Sequence, residues 1–292
     1  MDKIRVGILR GGPGEHYASS LHKGGQIISH ILENLSDKYK IVDIFIDKNG
    51  NWHAGGLPVT PADLVRKIDV VWNTSHPNFS NILLNLSIPH IGVSFFSSAL
   101  ESNQKMLREY MKTIGVYTPR HVIAPKEARE VFEKFGSPWI VKSFTPDTDM
   151  GIHLAKTFPE LVEAIKDGIA HEKSILVEEF IPGKIVTVHS VPMFRGERIY
   201  TFPLDNSFSS FTLLEKEKLI ALAKEVHYHI GAKHYLKSDF VLNKRDRIYL
   251  LGIESTPDLK SDSHFSKACE SVGAKMHHVI EHILEKTLKN KI

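Results

Sequence analysis

Asp239 and Glu254 are the residues whose types and spacing most directly suggest chemistry. They lie in KSDFVLNKRDRIYLLGIESTPDLKSDS, Lys237 to Ser263. This stretch predicts two strands around a charged turn (Asn243 to Arg247), then a polar loop after Pro257. With Leu242 paired to Tyr249 across the turn, Asp239 falls opposite Gly252. Side chains alternate faces along a strand, so Glu254 points the same way as Asp239. Two carboxylates then share one face at the open end of a hairpin. They repel each other unless a cation or a raised pKa intervenes. A hard divalent cation such as Mg²⁺ is held by one or two carboxylates plus substrate phosphates. The plainer reading is a hairpin with a solvated acidic face, and this segment alone leaves both open.

Three other groups carry weaker signals. Lys142 sits in the apolar strand Trp139-Ile-Val-Lys-Ser, so its ammonium must reach an anionic phosphate, a nearby carboxylate or bulk water. The run Ile175-Leu-Val-Glu-Glu-Phe-Ile-Pro-Gly is an apolar strand ending in a glutamate pair. Backbone groups at such a strand end lack ladder partners and can bond a flat heterocycle. The turn Gly11-Gly12-Pro13-Gly14 lacks the third glycine of a dinucleotide fingerprint, and is either a tight strand-to-helix turn or an anion site beside Glu15 and His16. Among 17 histidines, His278-Val-Ile-Glu281-His282 matches the HxxEH zinc pattern, but sits near the end of the last expected helix and reads as an ordinary amphipathic face.

These residues need elements to hold them. Ile4, Val6 and Ile8 lie in a short apolar run that predicts a buried strand ending at the glycine turn. A helix follows, capped by Ser19 or Ser20. Strands are expected at Tyr39 to Ile46, Asp69 to Trp72 and Pro89 to Val93, with helices at Pro61 to Ile68 and Ile82 to Leu86. That alternation argues for an open, mostly parallel sheet, whose ligands gather at the carboxyl ends of the strands. Beyond it, one long helix is expected from Ser98 to Ile114. Strands follow at Trp139 to Ser143 and Ser174 to Phe180, around a helix at Pro159 to Asp167. Two strands (Val186 to Pro192, Arg198 to Phe202), a helix from Glu215 to Ile230, the hairpin and a last helix from Lys267 to Leu288 complete the chain. The expected lobes are residues 1–97, 98–184 and 185–292.

The chain has 292 residues, 42% hydrophobic and 24% charged, which suits two or three lobes with a sizeable core. A net charge of +3 does not point to nucleic acid. One cysteine, Cys269, excludes an internal disulfide and reads as packing. No apolar run approaches the ~18 residues that span a bilayer, and MDKIRVGILRGG lacks a signal peptide's apolar segment. The expectation is a cytoplasmic chain with no membrane partner.

In order and spacing, these pieces resemble the D-alanine–D-alanine ligase family of ATP-grasp enzymes over nearly the whole chain. GGPGEHYAS (Gly11 to Ser19) is similar to the family's first glycine-rich turn. PHIGVSFFSSALESNQKML (Pro89 to Leu107) resembles the link into the ATP-binding lobe. PWIVKSF and ILVEEFIPG resemble the two strands that sandwich adenine and phosphate, and KSDFVL…YLLGIESTP…SDS resembles the metal hairpin and acceptor loop. The resemblance implies an ATP-grasp fold with a Rossmann-like N-terminal lobe. It implies ATP and Mg²⁺ (or Mn²⁺) as cofactors, small amino acids as substrates, a role in peptidoglycan biogenesis, and possible homodimers. The implied reaction is stepwise ligation through an acyl phosphate.

Carried over by position, Lys142 and Lys105 would contact ATP, and Glu178, Glu179, Phe180 and Ile181 would form the adenine hinge. Asp239 and Glu254 would hold the metal. Lys237 stands where the family has an arginine near the transferred phosphate, and Thr148 keeps a hydroxyl in the phosphate loop. Glu15, with His16 beside it, would orient the first substrate's amine, and Ser263 would bind the second substrate's carboxylate.

The chain departs from the family in several places. Gly252 replaces a glutamate and Glu254 an asparagine, so one carboxylate is lost and another sits two residues along. Ile185 replaces a ribose-binding glutamate and Gln104 a lysine. Asp147 and Asp149 bring negative charge to the phosphate loop. The changes fit either a divergent ligase or a protein that has kept the fold, lost the reaction and binds nucleotide or a partner without ligation.

Overall fold

The computed structural model describes residues 2–14, 16–123, 127–143, 151–170, 174–204 and 210–289. Within these residues the strands form three sheets. The first is built on β1 (Ile4–Gly11), whose apolar run is buried between parallel neighbours. After α1 (Tyr17–Asn34) come β2 (Tyr39–Ile46), β3 (Trp52–Ala54), β4 (Leu57–Pro58), β5 (Val70–Asn73), α2 (Asn78–Asn85) and β6 (His90–Ile91). Their order is β4-β3-β2-β1-β5-β6, with β2, β1, β5 and β6 parallel and β3 and β4 added antiparallel at one edge.

Gly11 ends β1 in the left-handed region, at φ +86°, and a Cβ there would lie 2.3 Å from the Ile46 carbonyl oxygen. Only glycine allows that approach. The expected serine cap is not formed. His16 precedes α1 with no side-chain cap, and the Ser20 hydroxyl accepts the Gly11 N–H at 2.9 Å instead. The helix expected at Pro61 to Ile68 shrinks to a 3₁₀ turn, Pro61–Leu64. The N–H groups of Lys67 and Ile68 both close on the Leu64 carbonyl, and Asp69 is drawn to Arg5 at 2.8 Å, which starts β5.

The single long helix expected from Ser98 to Ile114 is two: α3 (Phe95–Ser102) and α4 (Gln104–Thr113). Asn103 breaks it, because its side-chain oxygen accepts the Met106 N–H at 2.9 Å and so caps the second helix. The second sheet contains β7 (His121–Ile123), β8 (Trp139–Ser143), β9 (Ile152–Ala155) and β10 (Ile175–Glu179), in antiparallel order β7-β10-β8-β9. Helices α5 (Ala128–Lys134) and α6 (Phe158–Ala170) cover it. Its core of Val131, Trp139, Val141, Leu161 and Val177 is separate from the others.

The third sheet, β12-β11-β13-β14, is antiparallel. It comprises β11 (Gly183–Pro192), β12 (Ile199–Thr201), β13 (Leu236–Asn243) and β14 (Ile248–Glu254), with α7 (Leu213–Ile230) between β12 and β13. The last expected helix is again two, α8 (His264–Glu270) and α9 (Met276–Lys289), separated by a turn with Gly273 at φ +69°. One hydrophobic cluster joins the first and third sheets through the final helices, with Val6, Ile31 and Trp72 packed with Phe202, Phe265 and Ile280. Among the described residues no helix is long and apolar enough to cross a membrane.

Candidate functional site

The hairpin is in place, but its register differs from expectation. Leu242 pairs with Ile248 and Val241 with Tyr249, so the turn is one residue tighter on the β14 side than the sequence predicts. A bulge at Leu251 then restores the count, and Asp239 faces Gly252 after all. Beyond the bulge Glu254 pairs with Lys237. Lys237 Nζ lies 3.4 Å from Asp239 Oδ2 and 3.6 Å from Glu254 Oε2, bridging the two acids. Burial lowers the pKa of this ammonium, but the two carboxylates outweigh burial and raise it. The Thr187 hydroxyl, on the neighbouring strand, donates to Asp239 Oδ1 at 2.5 Å.

Two cavities flank this trio, Asp239 lining one and Lys237 and Glu254 the other. The larger, about 630 Å³, lies between the second and third sheets. Lys142 and Glu178 to Ile181 line one wall, and Asp239, Val241 and Gly252 line the other. Ile185 stands at its lip, 64% exposed. The smaller, about 340 Å³, lies among α1, the third sheet, the loop from Asp258 to Ser263 and the start of α8. Lys23, Lys237, Glu254, Ser263 and His264 line it. The ion contact of Lys237 with Asp239 links the wall of the second cavity to the wall of the first.

Lys142 does not reach for water. Its Nζ lies 2.7 Å from Glu178 Oε2, while Arg108 from α4 pairs with the other Glu178 oxygen. Arg108 and Glu178 side chains are 1% and 5% exposed. Burial pushes the Glu178 carboxyl up, but Arg108 and then Lys142 outweigh it and hold it below the usual carboxylate range. Arg108 also donates to the carbonyls of Leu250 (2.8 Å) and Leu251 (2.9 Å). One guanidinium therefore ties the second sheet to the hairpin of the third, at the bulge itself. Sequence reading missed Arg108. Its one signal is that no acid stands at helical spacing before or after it on α4, so its partner had to lie elsewhere.

The remaining expected site residues divide. Phe180 and Ile181 line the large cavity, and the Phe180 N–H donates to the Pro138 carbonyl at 3.0 Å. Glu179 also lines it, yet its carboxylate is taken by Arg120, at 3.0 Å from the backbone N–H and 2.6 Å from Nε. Lys105 does not line the cavity. It is an exposed residue of α4 paired with Glu109 at 3.9 Å, whereas its neighbour Gln104 lines the cavity. Ser263 caps α8, accepting from the Ser266 N–H and donating to the Asp258 carbonyl, each at 3.1 Å, so its proton is committed. His16 is exposed at the start of α1. Glu15 and Thr148, with Asp147 and Asp149, lie outside the described residues.

Other histidines have structural partners. His282 Nε2 lies 2.9 Å from the Pro192 carbonyl oxygen, His278 Nδ1 accepts the Lys275 N–H at 3.0 Å, and Glu281 pairs with Lys38 at 2.9 Å. The HxxEH stretch is thus part of the packing of α9. His189, missed in the sequence, borders the small cavity. It stacks on Phe265 at 4.8 Å, and its Nδ1 lies 2.8 Å from the Tyr235 hydroxyl.

No family model matches the chain. It is 23% identical to a D-alanine–D-alanine ligase from Carboxydothermus hydrogenoformans, over 96% of its own length and 97% of the relative's. It is 22% identical to a D-alanine–D-alanine ligase from Aquifex aeolicus, over 96% of its own length and 100% of the relative's. Among solved structures it matches a D-alanyl-alanine synthetase A from Vibrio cholerae with a TM-score of 0.80 at 19% identity, covering 99% of this chain and 100% of that one. A D-alanine–D-alanine ligase from Bacillus anthracis in complex with ATP matches with a TM-score of 0.76 at 17% identity, covering 100% and 99%.

Proposed function

We propose that this chain, a divergent relative of the D-alanine–D-alanine ligases with their ATP-grasp fold, is an ATP-dependent ligase that joins the carboxylate of one amino acid to the amine of another. The observation that carries the reading is the charged trio of Lys237, Asp239 and Glu254, with Asp239 on the wall of one cavity and Lys237 and Glu254 on the wall of the other. One cavity is large enough for a nucleotide, the other suits small polar substrates, and the charged groups between them lie where a phosphoryl group would pass.

In this reading the base lies against Phe180 and Ile181, and Lys142, anchored by Glu178, contacts the phosphates. A substrate carboxylate oxygen forms a bond to the γ-phosphorus while the bond from that phosphorus to the β–γ bridging oxygen breaks, releasing ADP. Lys237 stabilises negative charge on the transferred group. The amine of the second amino acid then attacks the acyl carbon and loses a proton. The acyl carbon–oxygen bond breaks, and inorganic phosphate leaves with the oxygen that came from the carboxylate.

The donor set suits one hard divalent cation. Two carboxylates aim oxygens at a single point, where the Lys237 ammonium already finds stabilisation. Asp239 and Glu254 would hold Mg²⁺ there, and the ion would neutralise charge on the phosphates.

Lys142→Ala removes one charge-assisted contact to phosphate while leaving Arg108 to neutralise Glu178. Calorimetry with a non-hydrolysable ATP analogue, on variant protein verified as folded, should show affinity falling about 10- to 100-fold. Unchanged affinity would remove Lys142 from the nucleotide site.

Binding without ligation is the second reading, favoured by Gly252 and Ile185. It expects the analogue to bind and no amino acid, in either configuration, to stimulate phosphate release from ATP. A mixed panel of amino acids with a phosphate assay separates the two.

A further inference from the structure

Two lysines of the protein face the hairpin acids. Lys237 Nζ faces one oxygen of Asp239 and one of Glu254, at 3.4 and 3.6 Å. Lys23 Nζ, reaching in from α1, lies 3.6 Å from the other Glu254 oxygen and donates to the Thr256 hydroxyl at 2.8 Å. The Thr187 hydroxyl takes the other oxygen of Asp239. Each carboxylate oxygen therefore faces an ammonium or a hydroxyl, and two ammonium charges offset two carboxylate charges. Lys23, Lys237, Asp239 and Glu254 are about a third exposed, so a cation arriving with a ligand can reach them.

Gly252 supplies the other half of the observation. It stands directly across from Asp239, on the wall of the nucleotide-sized cavity. A Cβ built on it meets nothing within 4 Å, so the position has room for a side chain and offers none. Among the described residues, no third histidine, cysteine or acid joins Asp239 and Glu254 in a metal-binding group. A divalent ion needs several oxygen donors, and Mg²⁺ demands a near-octahedral set. One ion can complete its shell from Asp239, Glu254, phosphate oxygens and water. Among the described residues a second ion would find no carboxylate of its own.

We propose that Lys237 is a built-in counter-cation, and that the hairpin accepts a single divalent ion per chain with the nucleotide, at Asp239 and Glu254, displacing the Lys237 ammonium toward the phosphates. This rests on the ligase reading of the site. Lys237 thereby acts twice. It holds the acids together in the free protein, and it becomes a phosphate-facing charge once the ion takes its place. The lost donor at position 252 and the lysine at 237 are two parts of one arrangement.

The test counts Mn²⁺ bound per chain by the paramagnetic resonance of the free ion, with the β,γ-imido analogue of ATP present. Wild-type protein is expected to bind one Mn²⁺, and Gly252→Glu two. Without nucleotide, Lys237→Met is expected to bind Mn²⁺ at least about tenfold more tightly than wild type, because a like charge has left the site. Two ions per wild-type chain would overturn the proposal, as would unchanged Mn²⁺ affinity in Lys237→Met. A Gly252→Glu count that stays at one would overturn the assignment of position 252 as the missing donor. The wild-type count decides the main point even where a variant fails to fold. Failure of wild-type protein to bind the analogue at all would instead overturn the nucleotide reading, and this inference with it.

Discussion

Arg108→Met is expected to destabilise the protein by about 3–5 kcal/mol, the range for removing one partner of a buried ion pair. The reason is geometric. Glu178 is almost fully buried and stays ionised only because Arg108 and Lys142 flank it. Methionine fills similar volume but leaves one carboxylate oxygen facing no cation, and frees the Leu250 and Leu251 carbonyls. The second sheet has its own core, so this guanidinium is a principal polar link between it and the third sheet. Loss should therefore also loosen the nucleotide-sized cavity that the two sheets form. Chemical denaturation measures the first effect. A cycle with Glu178→Gln sharpens it, because the double variant should be less destabilised than the sum of the singles. Additive effects, or a loss under about 1 kcal/mol, would contradict the strut role.

Acidification from pH 7 to 5 should destabilise the fold through three histidines, His189 and His227 buried and His234 half-buried. Burial is the main cause in each. His189 is pushed down to about 3, His227 to about 4 and His234 to about 3. Nearby lysines add to the depression in all three. The unfolded chain takes up protons near the ordinary histidine pKa of about 6.5, and the folded protein does not until far lower. Between those limits the unfolded state binds more protons, so stability is lost as pH falls through about 6.5 and continues falling toward about 4. At pH 5 the difference is about 2 kcal/mol per ring, or on the order of 6 kcal/mol for three. Denaturant melts at the two pH values measure it. A fall of less than about 2 kcal/mol in total would mean that these rings are not held neutral.

Much of the site was legible because strands alternate and turns advertise themselves. Asp239 opposite Gly252 was readable even though the pairing of Leu242 with Tyr249 was wrong. A tighter turn and the bulge at Leu251 are opposite one-residue errors, and they cancel at Asp239. Nothing in the apolar run Ile248 to Leu251 marks the bulge, because every residue there suits a strand. The helix breaks were harder to place. Asn103 and Gly273 interrupt apolar periodicity that continues on either side, and periodicity outweighs a single capping residue when read alone. Strand β9 was missed because Ile152, His153 and Leu154 are exposed and show no buried alternation. Arg108 and Lys105 are neighbours on one helix with opposite fates. Which of them enters the interior depends on Glu178, 70 residues away, and no local pattern carries that distance.

The central claim is that a substrate carboxylate attacks the γ-phosphorus of ATP beside Lys237, Asp239 and Glu254. Oxygen tracing tests it most directly. The protein is supplied with MgATP and amino acids of both configurations labelled with ¹⁸O in the carboxylate, and the released phosphate is weighed by mass spectrometry. The account predicts one labelled oxygen in each phosphate formed with a dipeptide. Phosphate that carries oxygen only from water, or bound ATP that never yields phosphate, would contradict it.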